Sequence, residues 1–131
     1  MEKLTHKPFC DDRGTLLPIE FDSLPFLPVR IFTVTNVPIN MVRGNHSHFK
    51  TIQYLLCLKG RIEVILHDGH NETKTVIEEN QGILVPNLIW DSQKFLSDNA
   101  TLIVLCSTQY DEKDYIFDFN EFKTIKLTEK K

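Results

Sequence analysis

The sequence predicts a single all-β domain, a sandwich or a barrel, and three observations support this. A chain of 131 residues is long enough for one domain with its own core and too short for two ordinary ones. Short segments rich in β-branched and aromatic residues recur about every eight to twelve residues, with turn residues between them. No segment before Asp111 carries a helical period. We therefore expect residues 1–131 to form one domain of packed β-sheets.

Each predicted strand has its own local justification. The earliest one follows the turn-like Asp11-Asp12-Arg13-Gly14, and the turn Asp68-Gly69 predicts a tight hairpin between two later strands. The other strands are alternating, β-branched or continuously apolar runs. The predicted strands are residues 15–21, 29–34 (VRIFTV), the His-x-His stretch within 41–60, 61–67 (RIEVILH), 72–78 (ETKTVIE), 82–86 (GILVP) and 100–106 (ATLIVLC). The tail, residues 111–131, has acids near its start and lysines near its end, which predicts one or two short helical turns.

Composition excludes several classes of function. The net charge of −3 gives no electrostatic basis for binding nucleic acid. No window is long and apolar enough to span a membrane, and the first residues lack the apolar core of a signal peptide, so we expect a cytoplasmic protein. Cys10, Cys57 and Cys106 are widely separated and form no CxxC pair, which predicts reduced thiols.

The stretch from residue 41 to residue 60, MVRGNHSHFKTIQYLLCLKG, contains the first candidate site. Residues two apart on a strand point to the same face, so His46 and His48 are expected to face one space together. Two such histidines could be metal ligands, a general acid/base pair, or polar residues filling the mouth of a barrel. The pattern resembles the first motif of the cupin superfamily, in which a Glu stands where this chain has Gln53.

A metal cupin usually supplies four protein ligands, and two of them are changed here. In the second motif, residues 82–92 (GILVPNLIWDS), Leu88 replaces a glycine and Asp91 stands at the position of the histidine ligand. Gln53 is neutral and binds a hard or borderline cation more weakly than Glu does. Asp91 could still ligate a metal, but we expect no metal and no other cofactor.

Three further side chains are candidates for substrate binding. Arg30 and Arg43 fit badly inside a barrel unless an anion pairs with them, and the planar guanidinium favours phosphate; the alternative is a solvated position at the rim. Trp90 offers a flat apolar wall for a sugar ring or a base, although packing in the core is an equal alternative.

The combined pattern is more specific than His-x-His alone. It runs from Asp12-Arg13-Gly14 through Arg43-Gly44-x-His46-x-His48, then Leu58-x-Gly60, Val85-Pro86 and Trp90, to Tyr110-Asp111-Glu112-x-Asp114-Tyr115-Ile116. It resembles the WxcM-like cupins, which include dTDP-4-dehydro-6-deoxy-glucose 3,4-ketoisomerases of bacterial polysaccharide synthesis. The resemblance implies a cupin jelly roll, a homodimer, no metal and a dTDP-sugar substrate.

The resemblance also implies roles for individual residues. His48 would be the base that moves a proton between C3 and C4 of the hexulose through an enediol, and His46 would lie beside it as a second acid or base. Arg43, Arg30 and Arg13 would contact the pyrophosphate or the sugar, with Gln53 and Trp90 also at the substrate. For the dimer we expect exchange of the N-terminal strand between subunits.

One departure from the family concerns the second predicted strand. Family members carry tyrosines after its arginine, where this chain reads Arg30-Ile31-Phe32-Thr33. A phenolic hydroxyl that would help to move protons or to hold the sugar is therefore missing at Phe32. Two alternatives to the ketoisomerase follow from this: an epimerase of another 4-keto sugar nucleotide, or a cupin that binds a nucleotide sugar without converting it.

Overall fold

Two five-stranded sheets packed face to face form the body of the computed structural model, which describes residues 2–129. The elements are β1 (Lys3–Thr5), β2 (Phe9–Asp11), β3 (Gly14–Leu16), β4 (Arg30–Val34), β5 (Val42–His48), β6 (Gln53–Lys59), β7 (Ile62–His67), β8 (Glu72–Ile77), β9 (Gln81–Val85), β10 (Trp90–Phe95), β11 (Thr101–Cys106), β12 (Tyr115–Ile116) and α1 (Phe119–Glu129). The first sheet has the order β1-β9-β6-β11-β4 and the second β12-β5-β10-β7-β8. Neighbouring strands are antiparallel, which confirms the predicted all-β jelly roll.

The core lies between the two sheets and follows the alternation seen in the sequence. In β7, Ile62, Val64 and Leu66 are at most 2% exposed, whereas the residues between them are half-buried. The facing sheet contributes its own apolar positions, among them Leu55 and Val104. The period of two therefore reports which face of each strand is buried.

The predicted strand over residues 15–21 is wrong in most of its length. Only Gly14–Leu16 forms a strand, and it pairs with Phe9–Asp11 in a two-stranded hairpin outside the main sheets. Pro18 has no N–H to donate to a ladder, and the chain then makes a single 3₁₀ turn at Phe21–Ser23. Apolar composition alone therefore predicted a longer strand than the one that forms.

Strand β10 was not predicted, because its sequence WDSQKF lacks the composition of a strand. It lies at the centre of the second sheet between β5 and β7, and Asp91, Ser92 and Gln93 on it are buried although they are polar. Polar residues in such a position need partners or a function.

The C-terminal tail contains more helix than was predicted. Helix α1 spans Phe119–Glu129, eleven residues, and Phe122 anchors it to the body of the protein. Lys130 and Lys131, the last two residues of the predicted helical tail, lie outside the described residues. Over the described part of the chain, no helix has the length and apolar character needed to cross a membrane.

Two glycines of the first motif are explained by close contacts. Gly44 has φ +92°, and a Cβ there would lie 3.1 Å from backbone atoms of Asp91 and Ser92. Gly60 has φ +79° in the turn between β6 and β7, where a Cβ would lie 2.7 Å from Cα of Ala100. Any side chain at either position would be strained and would push β10 or the 97–100 loop away.

Candidate active site

The two histidines at the C-terminal end of β5 lie side by side. His48 is 4% exposed and His46 is half-buried, and their ring centroids are 5.0 Å apart. Ser47 between them points the other way and is also buried. The structure therefore confirms that His46 and His48 lie on the same face of the strand.

His46 borders a small cavity of about 70 Å³ between the sheets. Typical ligand pockets measure roughly 300–1,000 Å³, so this space admits only the reacting end of a larger ligand. Its lining combines apolar side chains with a few polar ones. The polar and aromatic members are Phe32, Arg43, His46, Gln53, Asp91 and Gln93.

Asp91, which the sequence indicated only as a replaced metal ligand, is buried beside the histidine pair. It is 1% exposed, its Oδ1 accepts a hydrogen bond of 2.5 Å from Nε2 of Gln93, and the same Oδ1 lies 3.9 Å from Nε2 of His46. Its Oδ2 is buried without a hydrogen-bond partner among the described residues. Burial raises the pKa of Asp91 to about 7, although the Gln93 hydrogen bond opposes that shift.

Burial has the opposite effect on the two imidazoles. It lowers the pKa of His46 to about 4, and it is also the largest cause that lowers the pKa of His48 to about 4. At neutral pH both rings are therefore uncharged and able to accept a proton. The buried Nε2 of His48 has no hydrogen-bond partner within residues 2–129.

Gln53 and Arg43 lie at the cavity, as the sequence led us to expect. Gln53 is 3% exposed, and its Nε2 lies 3.6 Å from Sγ of Cys106. Arg43 is exposed on β5, at the open side of the cavity. Gln53 therefore belongs to the floor of the site and Arg43 to its mouth.

Arg30 lies beside the site rather than in the cavity lining. Its guanidinium carbon is 4.9 Å from the ring centroid of Phe32 and 5.1 Å from that of Tyr110. Its positive charge is close enough to His48 to contribute to lowering that pKa. The contacts with the two rings hold the guanidinium next to Phe32, which lines the cavity.

Two further predicted substrate-binding residues, Trp90 and Arg13, lie outside the cavity lining. Trp90 packs against α1, with its ring centroid 5.2 Å from Phe119 and 5.7 Å from Phe122. Arg13 is exposed in the β2–β3 hairpin, where it forms an ion pair of 2.6 Å with Asp11. Contact of either residue with a substrate remains a prediction.

Sequence reasoning assigned no role to Tyr115. This residue lies on β12, directly opposite His48 in the ladder, and its ring centroid is 4.4 Å from that of His48 and 5.3 Å from that of His46. The ring of Phe117 stacks on that of Tyr115 at 5.3 Å. In the sequence, the only indication of Tyr115 was its place in the Asp114-Tyr115-Ile116 segment of the motif.

The site also has the composition of a cation site. Donor atoms of His46, His48 and Asp91 all lie within 4.8 Å of one another. These residues could hold a transition metal, which accepts imidazole and carboxylate ligands. The neutral Gln53 in place of a fourth charged ligand weakens such a site.

Comparison with known proteins agrees with the motif pattern. Residues 2–127 match the family described as FdtA: WxcM-like, C-terminal. The TDP-4-oxo-6-deoxy-alpha-D-glucose-3,4-oxoisomerase of Aneurinibacillus thermoaerophilus is 33% identical over 122 residues, which cover 92% of this chain and 88% of that protein.

Solved structures give the same family. A 3,4-ketoisomerase from Helicobacter canadensis is 30% identical with a TM-score of 0.89, covering 96% of both chains. A mutant of the 3,4-ketoisomerase QdtA from Thermoanaerobacterium thermosaccharolyticum, crystallised with TDP-4-keto-6-deoxyglucose, is 29% identical with a TM-score of 0.89, covering 97% of this chain and 94% of that one. With its cupin jelly roll and its histidine pair, this chain belongs to the FdtA family of WxcM-like proteins.

Proposed function

We propose that this protein is a sugar-nucleotide 3,4-ketoisomerase that converts dTDP-4-keto-6-deoxyglucose to its 3-keto isomer in bacterial polysaccharide biosynthesis. The observation that carries the proposal is a pair of uncharged imidazoles next to a buried carboxyl: His46 and Asp91 line a small cavity, and the ring of His48 lies 5.0 Å from that of His46. The relatives in the same family are named for this isomerisation. Turnover of dTDP-4-keto-6-deoxyglucose by the purified protein tests it.

The chemistry needs one base and one acid. Neutral His48 removes the proton from C3, and the electrons of that C–H bond form the C3=C4 bond of an enediol while O4 gains a proton. The His48 imidazolium then returns the proton to C4, O3 loses its proton, and the C3 carbonyl forms. No electrons leave the sugar, so the reaction requires no oxidant.

Asp91 and Gln93 suit the stabilisation of the enediol oxygens. A carboxyl with a pKa of about 7 still holds its proton in much of the population at neutral pH, so it can donate a hydrogen bond where charge develops. His46 is within 3.9 Å of that carboxyl and provides a second group able to relay the proton. We propose this proton transfer without a metal.

We expect the nucleotide and the pyrophosphate of the substrate to bind on the outer surface of the protein. Because the cavity holds only part of a sugar, the nucleotide and the pyrophosphate would lie outside it, near Arg43 and Arg30. Phe32 lines the cavity where a tyrosine was expected, and the phenol of Tyr115 lies close to His48 instead. Gln53 would contact the sugar from the floor.

Arg43→Ala is expected to weaken binding of dTDP-4-keto-6-deoxyglucose by roughly 1.5–3 kcal/mol, the range for a hydrogen bond to a charged group. Isothermal calorimetry measures this. The matched control is Arg61→Ala, which removes an arginine of similar exposure at the β6–β7 turn, where it faces Glu78. Equal affinities for the Arg43 variant and the wild type would remove Arg43 from the site.

We also propose a homodimer, in which the β2–β3 hairpin of one subunit contacts the other. Phe9 and Leu16 are 59% and 63% exposed on this hairpin. Among residues 2–129, strand β4 pairs only with β11 and forms an edge of its sheet, and Ile31 on it is 57% exposed. An exposed apolar hairpin and an exposed apolar edge on one chain suit a self-complementary contact.

Sedimentation at micromolar concentration is expected to show a dimer, and Leu16→Asp is expected to shift it towards monomer, because a charge would be buried at the interface. Leu127→Asp, on the exposed side of α1, is the control and should leave the dimer intact. A monodisperse wild-type monomer would contradict the proposal.

A further inference from the structure

Asp114 is a buried carboxylate behind the histidine pair, outside the cavity lining. It is 9% exposed, and its two oxygens accept three hydrogen bonds from the turn that follows β5. Oδ1 accepts from the backbone N–H of Lys50 at 2.8 Å, and Oδ2 accepts from the backbone N–H of Thr51 at 3.1 Å and from the Thr51 hydroxyl. The carboxylate is therefore held rigidly by groups of one short turn.

This turn is joined directly to the reacting group. Residues 49–51 begin immediately after His48, and the carbonyl of Asp114 accepts a further hydrogen bond of 2.9 Å from the N–H of Phe49. On the other side, Asp114 precedes Tyr115, which pairs with His48. One residue thus fastens the chain on both sides of the His48–Tyr115 contact.

The charge of Asp114 also acts on His48. It lies close to that ring, because the backbone of Asp114 is hydrogen-bonded to Phe49, which follows His48, and Tyr115, which follows Asp114, pairs with His48. In the proposed reaction His48 becomes a cation after it removes the C3 proton. A fixed negative charge nearby favours that cation over the neutral ring.

We infer that Asp114 is a positioning residue of the isomerase: its carboxylate fixes the His48–Tyr115 pair, and its charge stabilises the imidazolium formed in the reaction. This inference rests on the proposed function, because it assigns His48 as the base. A purely structural role for Asp114 would depend on its hydrogen bonds alone, whereas the inferred role also depends on its negative charge.

Three variants change charge and hydrogen bonding in different combinations. Asp114→Asn keeps the shape but removes the charge and replaces one acceptor oxygen with an amide NH₂ that cannot accept. Asp114→Glu keeps the charge and both acceptor oxygens but disturbs the geometry, and Thr51→Val removes one hydrogen bond to the unchanged carboxylate. We expect kcat to fall roughly 10- to 100-fold in Asp114→Asn, with KM changed less than threefold. Asp114→Glu should keep more of kcat than Asp114→Asn, and Thr51→Val should lower the unfolding temperature with kcat reduced less than threefold.

The inference is overturned if kcat simply follows the unfolding temperature across the three variants, or if Asp114→Asn turns over at the wild-type rate. If the wild type itself fails to convert the substrate, the proposed function fails and the positioning role is decided separately. In that case, NMR contacts between the His48 and Tyr115 rings should weaken in Asp114→Asn and persist in Thr51→Val. Unchanged ring contacts in Asp114→Asn would then overturn the inference.

Discussion

Replacing His48 with asparagine is expected to lower kcat by roughly 100- to 10,000-fold while the fold stays intact. Asparagine keeps the approximate size and polarity of the side chain but cannot accept the C3 proton. The wild-type ring is available to accept a proton at neutral pH because burial lowers its pKa to about 4 and keeps it uncharged. Initial rates with dTDP-4-keto-6-deoxyglucose, together with circular dichroism, measure the effect.

The control is His70→Asn, in the exposed turn between β7 and β8, which should leave kcat unchanged. The wild-type rate should also survive EDTA, because the proposed proton transfer uses side chains alone. Near wild-type turnover in His48→Asn would remove His48 as the base. Loss of activity in chelator with recovery on adding a divalent metal would show that His46, His48 and Asp91 hold a cation instead.

Asp91→Asn is expected to lower kcat and, as the pH rises, to make the protein more stable relative to the wild type. The amide can donate a hydrogen bond but cannot supply a proton, so kcat should fall roughly 10- to 100-fold. At the same time the protein should become relatively more stable as the pH rises. Burial raises the pKa of Asp91 from 3.8 to about 7, so the folded state holds a proton that the unfolded state has released over that range.

The free energy of unfolding of the wild type should therefore fall with pH through this window, and that of Asp91→Asn should lack this fall. Between about pH 5 and pH 8, the free energy of unfolding of the wild type should fall relative to that of Asp91→Asn by on the order of 2–3 kcal/mol. Urea titrations at the two pH values measure it, with Asp98→Asn at an exposed position as the control. A constant difference across the range would mean that Asp91 is ionised in the folded protein at pH 5.

The parts of the site that are local in sequence could be predicted. His46 and His48 are two apart on a strand, so their shared face follows from strand geometry. Gly44 and Gly60 mark backbone positions with positive φ. Arg43 is three residues before His46, so a regular strand would place it on the opposite face. It lines the same cavity because the strand is bulged at Gly44 and Asn45, which both have positive φ.

The remaining parts depend on contacts between distant segments. Tyr115 and Asp114 meet the His48 region only because β12 pairs with β5, a separation of more than sixty residues that no local period reveals. Asp91 was read as a replaced metal ligand, and its burial on an unpredicted strand could not be inferred from a polar sequence. Trp90 was predicted to offer a flat apolar wall to a sugar ring or a base, yet its ring packs against Phe119 and Phe122 of α1.

NMR of the product formed from dTDP-4-keto-6-deoxyglucose in D₂O tests the central claim most directly. We predict a 3-keto-6-deoxy sugar nucleotide with deuterium at C4, because His48 can exchange the proton it has removed with solvent before returning it. Deuterium next to an unchanged 4-keto group would indicate an epimerase. Recovery of unlabelled substrate from a protein that binds it would show a nucleotide-sugar-binding cupin and would contradict the assignment as an isomerase.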